Sequence, residues 1–507
     1  LSATPLYQPK TAFDVLRLPG IGRLLRWRYG RLILQVPFLA LALLLVYDGF
    51  TGSEMASENL ATIVPWVHYR GVVVIALLLV GNLFCMGCPF MLPRTLAKRL
   101  SSRGRRFPRV LRGKWLAIAG LFGLFFAYEW LDMWSSPALT AWVIVAYFVT
   151  AFVLEALFSE SPFCKYICPL GSFNFVYSTV SPLQITVRDG GVCKTCVGKE
   201  CINGSYSPQP VVLIDQIGIN GAPDVTHEHH PRGTLGCGTL LFAPQIQSNL
   251  DCTFCLDCAR ACPHDNVALS SRAPGAELIR PDSFPRRFDV AFLVICLTFM
   301  GLVNAFGMVP PVYDLLQQIA STLGLTALGW SNEAIEAAAL GLVFGVGSLL
   351  LPILLTLLAA ALARWLTGTR RRDDLRTALS VFAPAFVPIG FGFWAAHYGF
   401  HFLIGIFSIV PAFQLFLLDH GIRWLGSPNW ALVGVSDPGV IGAIQAAALI
   451  GGFAASLWVA YRISLRHYRR QATAGLLPWA LLFVLLMLVG MWLFSLPMEM
   501  RGTVLFD

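Results

Sequence analysis

Nine stretches of this chain are apolar for long enough to cross the roughly 30 Å hydrocarbon core of a bilayer: 32–48, 70–88, 115–133, 140–158, 289–309, 338–361, 380–410, 439–461 and 475–496. Short polar connections separate them, except that residues 182–285 form one long polar insert. The pattern predicts a mostly α, polytopic membrane helical bundle of about nine spans carrying an inserted domain. It divides the chain into a basic N-terminal arm (1–31), a four-helix membrane region (32–181), the insert (182–285) and a five-helix membrane region (286–507).

Composition agrees. Hydrophobic residues make up 56% and charged ones 13% of the sequence, a balance that excludes a soluble protein of this length. The net charge of +9 is no nucleic-acid footprint, because the arginines lie between spans. Arg17, Arg23, Arg26, Arg28 and Arg31 precede the first span, and a run from Arg94 to Lys114 follows the second. Arg286 and Arg287 precede the fifth span, Arg370 to Arg372 follow the sixth, and Arg462 to Arg470 follow the eighth. Glu54, Glu58, Asp314, Glu333 and Glu336 occupy the alternate loops. By the positive-inside rule the N-terminus and the insert face the cytoplasm of a bacterial inner membrane, and the C-terminus lies outside. The first apolar run is followed by no small-residue cleavage pattern, so no cleavable signal peptide is expected.

The insert contains Cys252-x2-Cys255-x2-Cys258-x3-Cys262-Pro263, a spacing that presents three thiolates to one [4Fe–4S] cube and lends the fourth to a neighbour. Cys193, Cys196 and Cys201 lie upstream and Cys237 stands between, so eight cysteines are available for two four-ligand sites. Cross-over logic groups Cys252, Cys255, Cys258 and Cys237 in one site, and Cys193, Cys196, Cys201 and Cys262 in the other, giving a ferredoxin-like domain. A zinc ribbon would use only four of these thiols, and a disulfide framework belongs to oxidising compartments. His264, beside Cys262 and Pro263, is placed to tune a cluster potential by hydrogen bonding. His227, His229 and His230 read as solvated loop histidines, with a metal site as the rarer alternative.

Two more pairs end the second and fourth spans: Phe84-Cys85-x2-Cys88-Pro89-Phe90 and Phe163-Cys164-x3-Cys168-Pro169-Leu170. They mark an internal duplication, two helical hairpins whose side-by-side packing brings four thiols together where membrane meets insert. The proline ends each helix. A third metal site or cluster, a thiol–disulfide relay and plain buried small residues remain open for these four.

On these motifs the chain, over about residues 30–310, resembles the membrane polyferredoxins of the NapH, NosR and FixG/CcoG type. Their shared pattern is a pair of CxxxCP motifs at helix ends beside a two-cluster ferredoxin domain. Cys164-Lys165-Tyr166-Ile167-Cys168-Pro169 matches the second motif, while Cys85-Met86-Gly87-Cys88-Pro89 is one residue short of the first. The resemblance implies electron transfer between quinol and redox partners, serving a respiratory enzyme or a metal-site maturation pathway.

In the C-terminal half, Pro384, Pro388, Gly390 and Gly392 predict a kinked or broken seventh span, with His397 and His401 on one helical face. These histidines, with Tyr398 and Trp394, are candidates for a quinone or proton-transfer site. A b-type haem would need a second ligand such as His420 or His68. Glu129, Asp132 and Glu155 are further proton-carrier candidates, and Cys296 reads as packing.

The expected function is that of an integral-membrane iron–sulfur carrier exchanging electrons between its two clusters and the quinone pool or partner redox subunits of a respiratory or photosynthetic chain. The rivals are a copper reductase or maturation factor acting through the cysteine–proline thiols, and an electron-driven ion or proton transporter. No CxxCH haem-attachment site, Rossmann fingerprint or flavin motif is present.

Overall fold

The computed structural model describes residues 13–93, 97, 105–158, 161–205, 233–280, 283–369, 374–432 and 434–498. The principal helices are α1 (Gly30–Thr51), α2 (Leu60–Leu79), α3 (Trp115–Trp130), α4 (Pro137–Leu157), α5 (Pro169–Tyr177), α6 (Phe288–Phe306), α7 (Asn332–Leu366), α8 (Leu375–Gly405), α9 (Pro438–His467) and α10 (Arg469–Ser495). All but α3 and α5 are long and apolar enough to cross a membrane, which makes eight such helices among the described residues. The third expected span, α3, has 16 residues, about 24 Å at about 1.5 Å per residue, and falls short of the bilayer core.

Local chemistry sets the starts. Ser136 caps α4, its side chain accepting from the Leu139 amide, with Pro137 in the first turn, and Asp437 and Pro438 open α9 in the same way. The seventh span is interrupted as expected, by a tightened turn over Ala383–Ala385 that contains Pro384. Its upper half packs closely on α9, because Gly392 and Gly452 face each other. A β-carbon on Gly392 would stand 2.7 Å from the Ala448 carbonyl oxygen, and one on Gly452 2.7 Å from that of Pro388. Cys296 is fully buried in the core around α6, as a packing residue.

The second span departs from expectation. It covers Leu60–Leu79 rather than 70–88, since Gly81, at φ 76°, turns the chain and Leu83–Gly87 forms a separate short helix. Hydropathy does not distinguish the two, because that returning turn is as apolar as the helix before it.

In the insert, β1 (Leu183–Val187) pairs antiparallel with β2 (Val267–Ser271), Val187 opposite Val267 and Leu183 opposite Ser271. The short helices Gly190–Thr195 and Glu200–Asn203 follow β1, and Asp257–Ala261 precedes β2. Part of the N-terminal arm joins this unit: Asp14 bridges to Ser270, accepts from the Leu269 amide and pairs with Arg188 at 2.8 Å. Buried Glu277 accepts from Ser248, the Asn249 amide and Arg272, while Arg272 donates to the carbonyls of Thr179 and Ser181. That network fastens the insert to the segment leaving α5.

Candidate functional site

The antiparallel register explains the first thiol group. The chain leaving β1 at Val187 and the chain entering β2 at Val267 occupy the same end of the sheet, so Cys262 comes beside Cys193. Cys193, Cys196, Cys201 and Cys262 line one small cavity, with His264 and Asn266 at its wall. Asn266 holds the pair in place. Its side chain donates to Cys193 Sγ (3.1 Å) and to the Asp189 carbonyl (2.6 Å), and its amide donates to Cys262 Sγ (3.4 Å).

The second group is Cys237, Cys252, Cys255 and Cys258. Cys252 and Cys258 each interact electrostatically with both Cys237 and Cys255. Cys237 reaches them because its amide donates to the Cys201 carbonyl, and its Sγ accepts from the Leu241 amide at 3.3 Å. Burial pushes the Cys252, Cys255 and Cys258 thiols up, Cys255 to about 11, and neighbouring negative groups add to the effect. A thiolate set at this place needs positive charge, which a bound metal would supply.

Backbone strain concentrates around both groups. Of eight non-glycine residues with positive φ among the described residues, six lie here: Lys199, Leu240, Asp251, Phe254, Leu256 and Asp265. Each costs on the order of 1–3 kcal/mol, and Phe254 and Leu256 hold this conformation with buried side chains. The donor set, two groups of four thiols on such loops, suits two cubes. All thirteen cysteines are free thiols. Among the described residues no three Cys, His, Asp or Glu side chains are gathered as they would be around a single metal ion; a cube, with one iron per thiolate, spaces its ligands more widely.

The third group joins the two cysteine–proline motifs. Cys164 interacts with Cys168, Cys88 and Cys85, and Cys168 with Cys88 and Cys85. The expected convergence of the hairpins is therefore present. The proline does more than end a helix: Cys168 caps α5, with Pro169 in its first turn and the Gly171 amide donating to Cys168 Sγ at 3.2 Å. Cys88 and Pro89 hold the same two positions at the start of the turn Pro89–Met91. Cys164 Sγ lies 3.0 Å from Met91 Sδ, and Asn174 donates to Cys85 Sγ at 3.4 Å.

Polar residues that the sequence reading missed tie the third group to the second. Asn82 donates to the Cys252 carbonyl at 2.9 Å and also hydrogen-bonds Cys85. Lys114, buried, pairs with Asp251 next to Cys252 and donates to the carbonyl of Lys165 next to Cys164 at 2.7 Å. Arg31 donates to the Met86 carbonyl and to Asp257, and Gln35 to the Cys88 carbonyl. Gly81 permits the approach: a β-carbon there would stand 2.6 Å from Ser181 Oγ and 2.9 Å from the Phe254 ring.

The remaining candidates are dispersed. His397 and His401 follow one another along α8 with ring centroids 5.2 Å apart and planes tilted by 55°, and His397 Nε2 lies 3.3 Å from Met308 Sδ. His68 contacts the carbonyls of Ile63 and Ile406, and His420 contacts Tyr47 Oη and the Phe416 carbonyl, so both ring nitrogens of each are already engaged. Trp394 is buried and donates to the Leu297 carbonyl, away from any interfacial belt. Glu129 accepts from Asn304, Glu155 accepts from Ser161, and Asp132 sits in a turn at φ 43°. His227, His229 and His230 lie outside the described residues. No protein-family model, curated protein or solved structure matches the chain.

Proposed function

We propose that this chain is an integral-membrane iron–sulfur protein that exchanges single electrons with the quinone pool or with a partner redox subunit. Cys193, Cys196, Cys201 and Cys262 would hold one [4Fe–4S] cube and Cys237, Cys252, Cys255 and Cys258 the other, each supplying one-electron redox chemistry. The observation that carries this reading is the pair of four-thiol groups on strained loops, one of them linked through Asn82 to a third thiol group against the membrane helices. The ferredoxin-type spacing and the resemblance to the NapH, NosR and FixG/CcoG proteins support the same reading, and the arginine distribution favours a cytoplasmic position for the insert.

The protein's own part is to exclude water, fix the spacing between the groups and set local charge. Asn266 and the Leu241 amide donate toward sulfur, which stabilises the more reduced state. Oxidation of one quinol releases two electrons and two protons, so two one-electron sites match one quinol.

Iron and sulfide analysis with EPR-monitored redox titration, on protein purified without oxygen, tests the proposal. About eight irons per chain and two reducible cubes are expected; zinc, or no metal and no cube signal, overturns it. A second reading, reduction of copper for delivery to an oxidase or reductase, draws on the contact between Cys164 and Met91, since thiolate and thioether together suit a soft monovalent ion. Stoichiometric copper binding that vanishes with Cys164→Ala would favour it.

A further inference from the structure

α1, α2, α3 and α4 do not close on one another. Between them lies a cavity of about 390 Å³, within the roughly 300–1,000 Å³ typical of small-ligand sites. Its walls are almost wholly apolar, and Phe38 and Val72, both on the outer surface of the bundle, form part of them, so the cavity opens sideways to lipid.

One end touches the cysteine–proline junction. Phe84, Pro89, Phe90 and Leu170 line it there, and Tyr69 and Tyr147, also in the wall, each interact electrostatically with Cys88 and Cys168. The Tyr147 hydroxyl is buried beside the Leu170 amide. Beside Tyr69 is Arg70, a buried guanidinium in the middle of α2. Among the described residues no carboxylate pairs with it. Three rings surround it instead, with centroids 4.6 Å (Trp66), 4.2 Å (Tyr128) and 5.0 Å (Tyr398) from its central carbon, and the buried Tyr128 hydroxyl interacts with the guanidinium itself. A cation inside a membrane is costly and marks function by default.

We infer that this cavity is the binding site of a lipid-soluble quinone, its carbonyl oxygens accepting from Arg70 and the tyrosine hydroxyls and its isoprenoid tail leaving between α1 and α2. The ligand must be apolar over most of its length, present acceptors to a fixed cation, enter from lipid and lie against the thiol junction, and a quinone satisfies all four. The histidines of α8 are absent from the cavity wall; Tyr398 alone of that group reaches it. The redox meaning of the site rests on the electron-transfer reading above, whereas its occupancy does not.

Binding is measured on the oxidised full-length protein in nanodiscs of synthetic phosphatidylcholine, with decylubiquinone as ligand and an azido-quinone as photolabel. Labelling should fall on α2 and α4. Val143→Trp, which fills the cavity, and Arg70→Gln should each weaken binding about tenfold or more, with Arg70→Lys recovering part of the loss, all at unchanged iron content. Labelling elsewhere, unchanged affinity in both variants, or a tightly held phospholipid that decylubiquinone does not displace overturns the site. Quinone bound in the cavity of a protein lacking clusters would sink the electron-transfer reading and leave the site standing. Clusters reduced by quinol equally well in Val143→Trp and Arg70→Gln would do the reverse.

Discussion

The eight thiols of the insert and the four of the cysteine–proline junction are built by opposite means. In the insert, loops with left-handed residues at Phe254 and Leu256 wrap inward, and a two-stranded sheet brings distant cysteines to a common end. At the junction the helix ends themselves converge: Cys88 and Cys168 are caps, each followed by proline in the first turn. The first arrangement sets its thiols on strained loops. The second leaves sulfur beside sulfur, with Met91 Sδ 3.0 Å from Cys164 Sγ. One chemistry therefore need not serve both, and the polar seam of Asn82 and Lys114 couples two differently made sites.

Cys258→Ala should draw this contrast most sharply. Loss of a buried thiol from a group of four should remove about four of eight irons and one cube signal, leaving the group around Cys193 intact in iron analysis and EPR. Loss of all iron would mean that the two groups fold as one.

Lys114→Met attacks the seam. It strands Asp251 as a buried, uncompensated carboxylate, and breaking such a pair costs about 3–5 kcal/mol, read as a lowered unfolding midpoint. Adding Asp251→Leu should recover most of the loss, because the destabilisation comes from the orphaned charge. If the double variant is no better than the single one, the pair is not what joins membrane and insert.

Cys164→Ala combined with Cys168→Ala probes the junction alone. The iron of the two insert groups should be unchanged, while quinol-dependent reduction in stopped flow slows about tenfold, equivalent to about 1.4 kcal/mol in the barrier. Equal loss of iron here and in Cys258→Ala would erase the distinction between the regions.

The two regions also differed in how well the sequence disclosed them. Cysteine spacing is a covalent pattern, and cross-over logic groups Cys262 with Cys193 and Cys237 with Cys252; Cys193 and Cys262 line one cavity, and Cys237 interacts electrostatically with Cys252. The junction was visible as a repeat, but the course of its backbone was not: the apolar run through Leu83 and Phe84 hides the end of α2 at Leu79. The contacts of Asn82, Lys114 and Arg70 are illegible in the sequence for a common reason. Each works through a partner far along the chain, Cys252, Asp251 and Tyr398 respectively. Only Arg70 carried a local warning, a cation four residues after Trp66 inside an apolar helix. His264 was singled out as the residue tuning a cluster; it does line the cavity, but the hydrogen bonds to sulfur come from Asn266.

Asn266→Leu carries the smallest expected effect and the finest resolution. Its side-chain amide is the donor to Cys193 Sγ, while its backbone donor to Cys262 survives the substitution. A hydrogen bond to sulfur favours the reduced, more negative state, so removing one worth about 1 kcal/mol should lower the one-electron potential of that group by about 40 mV, at about 59 mV per tenfold change in equilibrium constant. The group around Cys252, with no contact to Asn266, should keep its potential within the error of the titration. A shift confined to one of two resolved signals would assign that signal to Cys193, Cys196, Cys201 and Cys262; equal shifts in both would mean that the two groups respond as a single electrostatic unit.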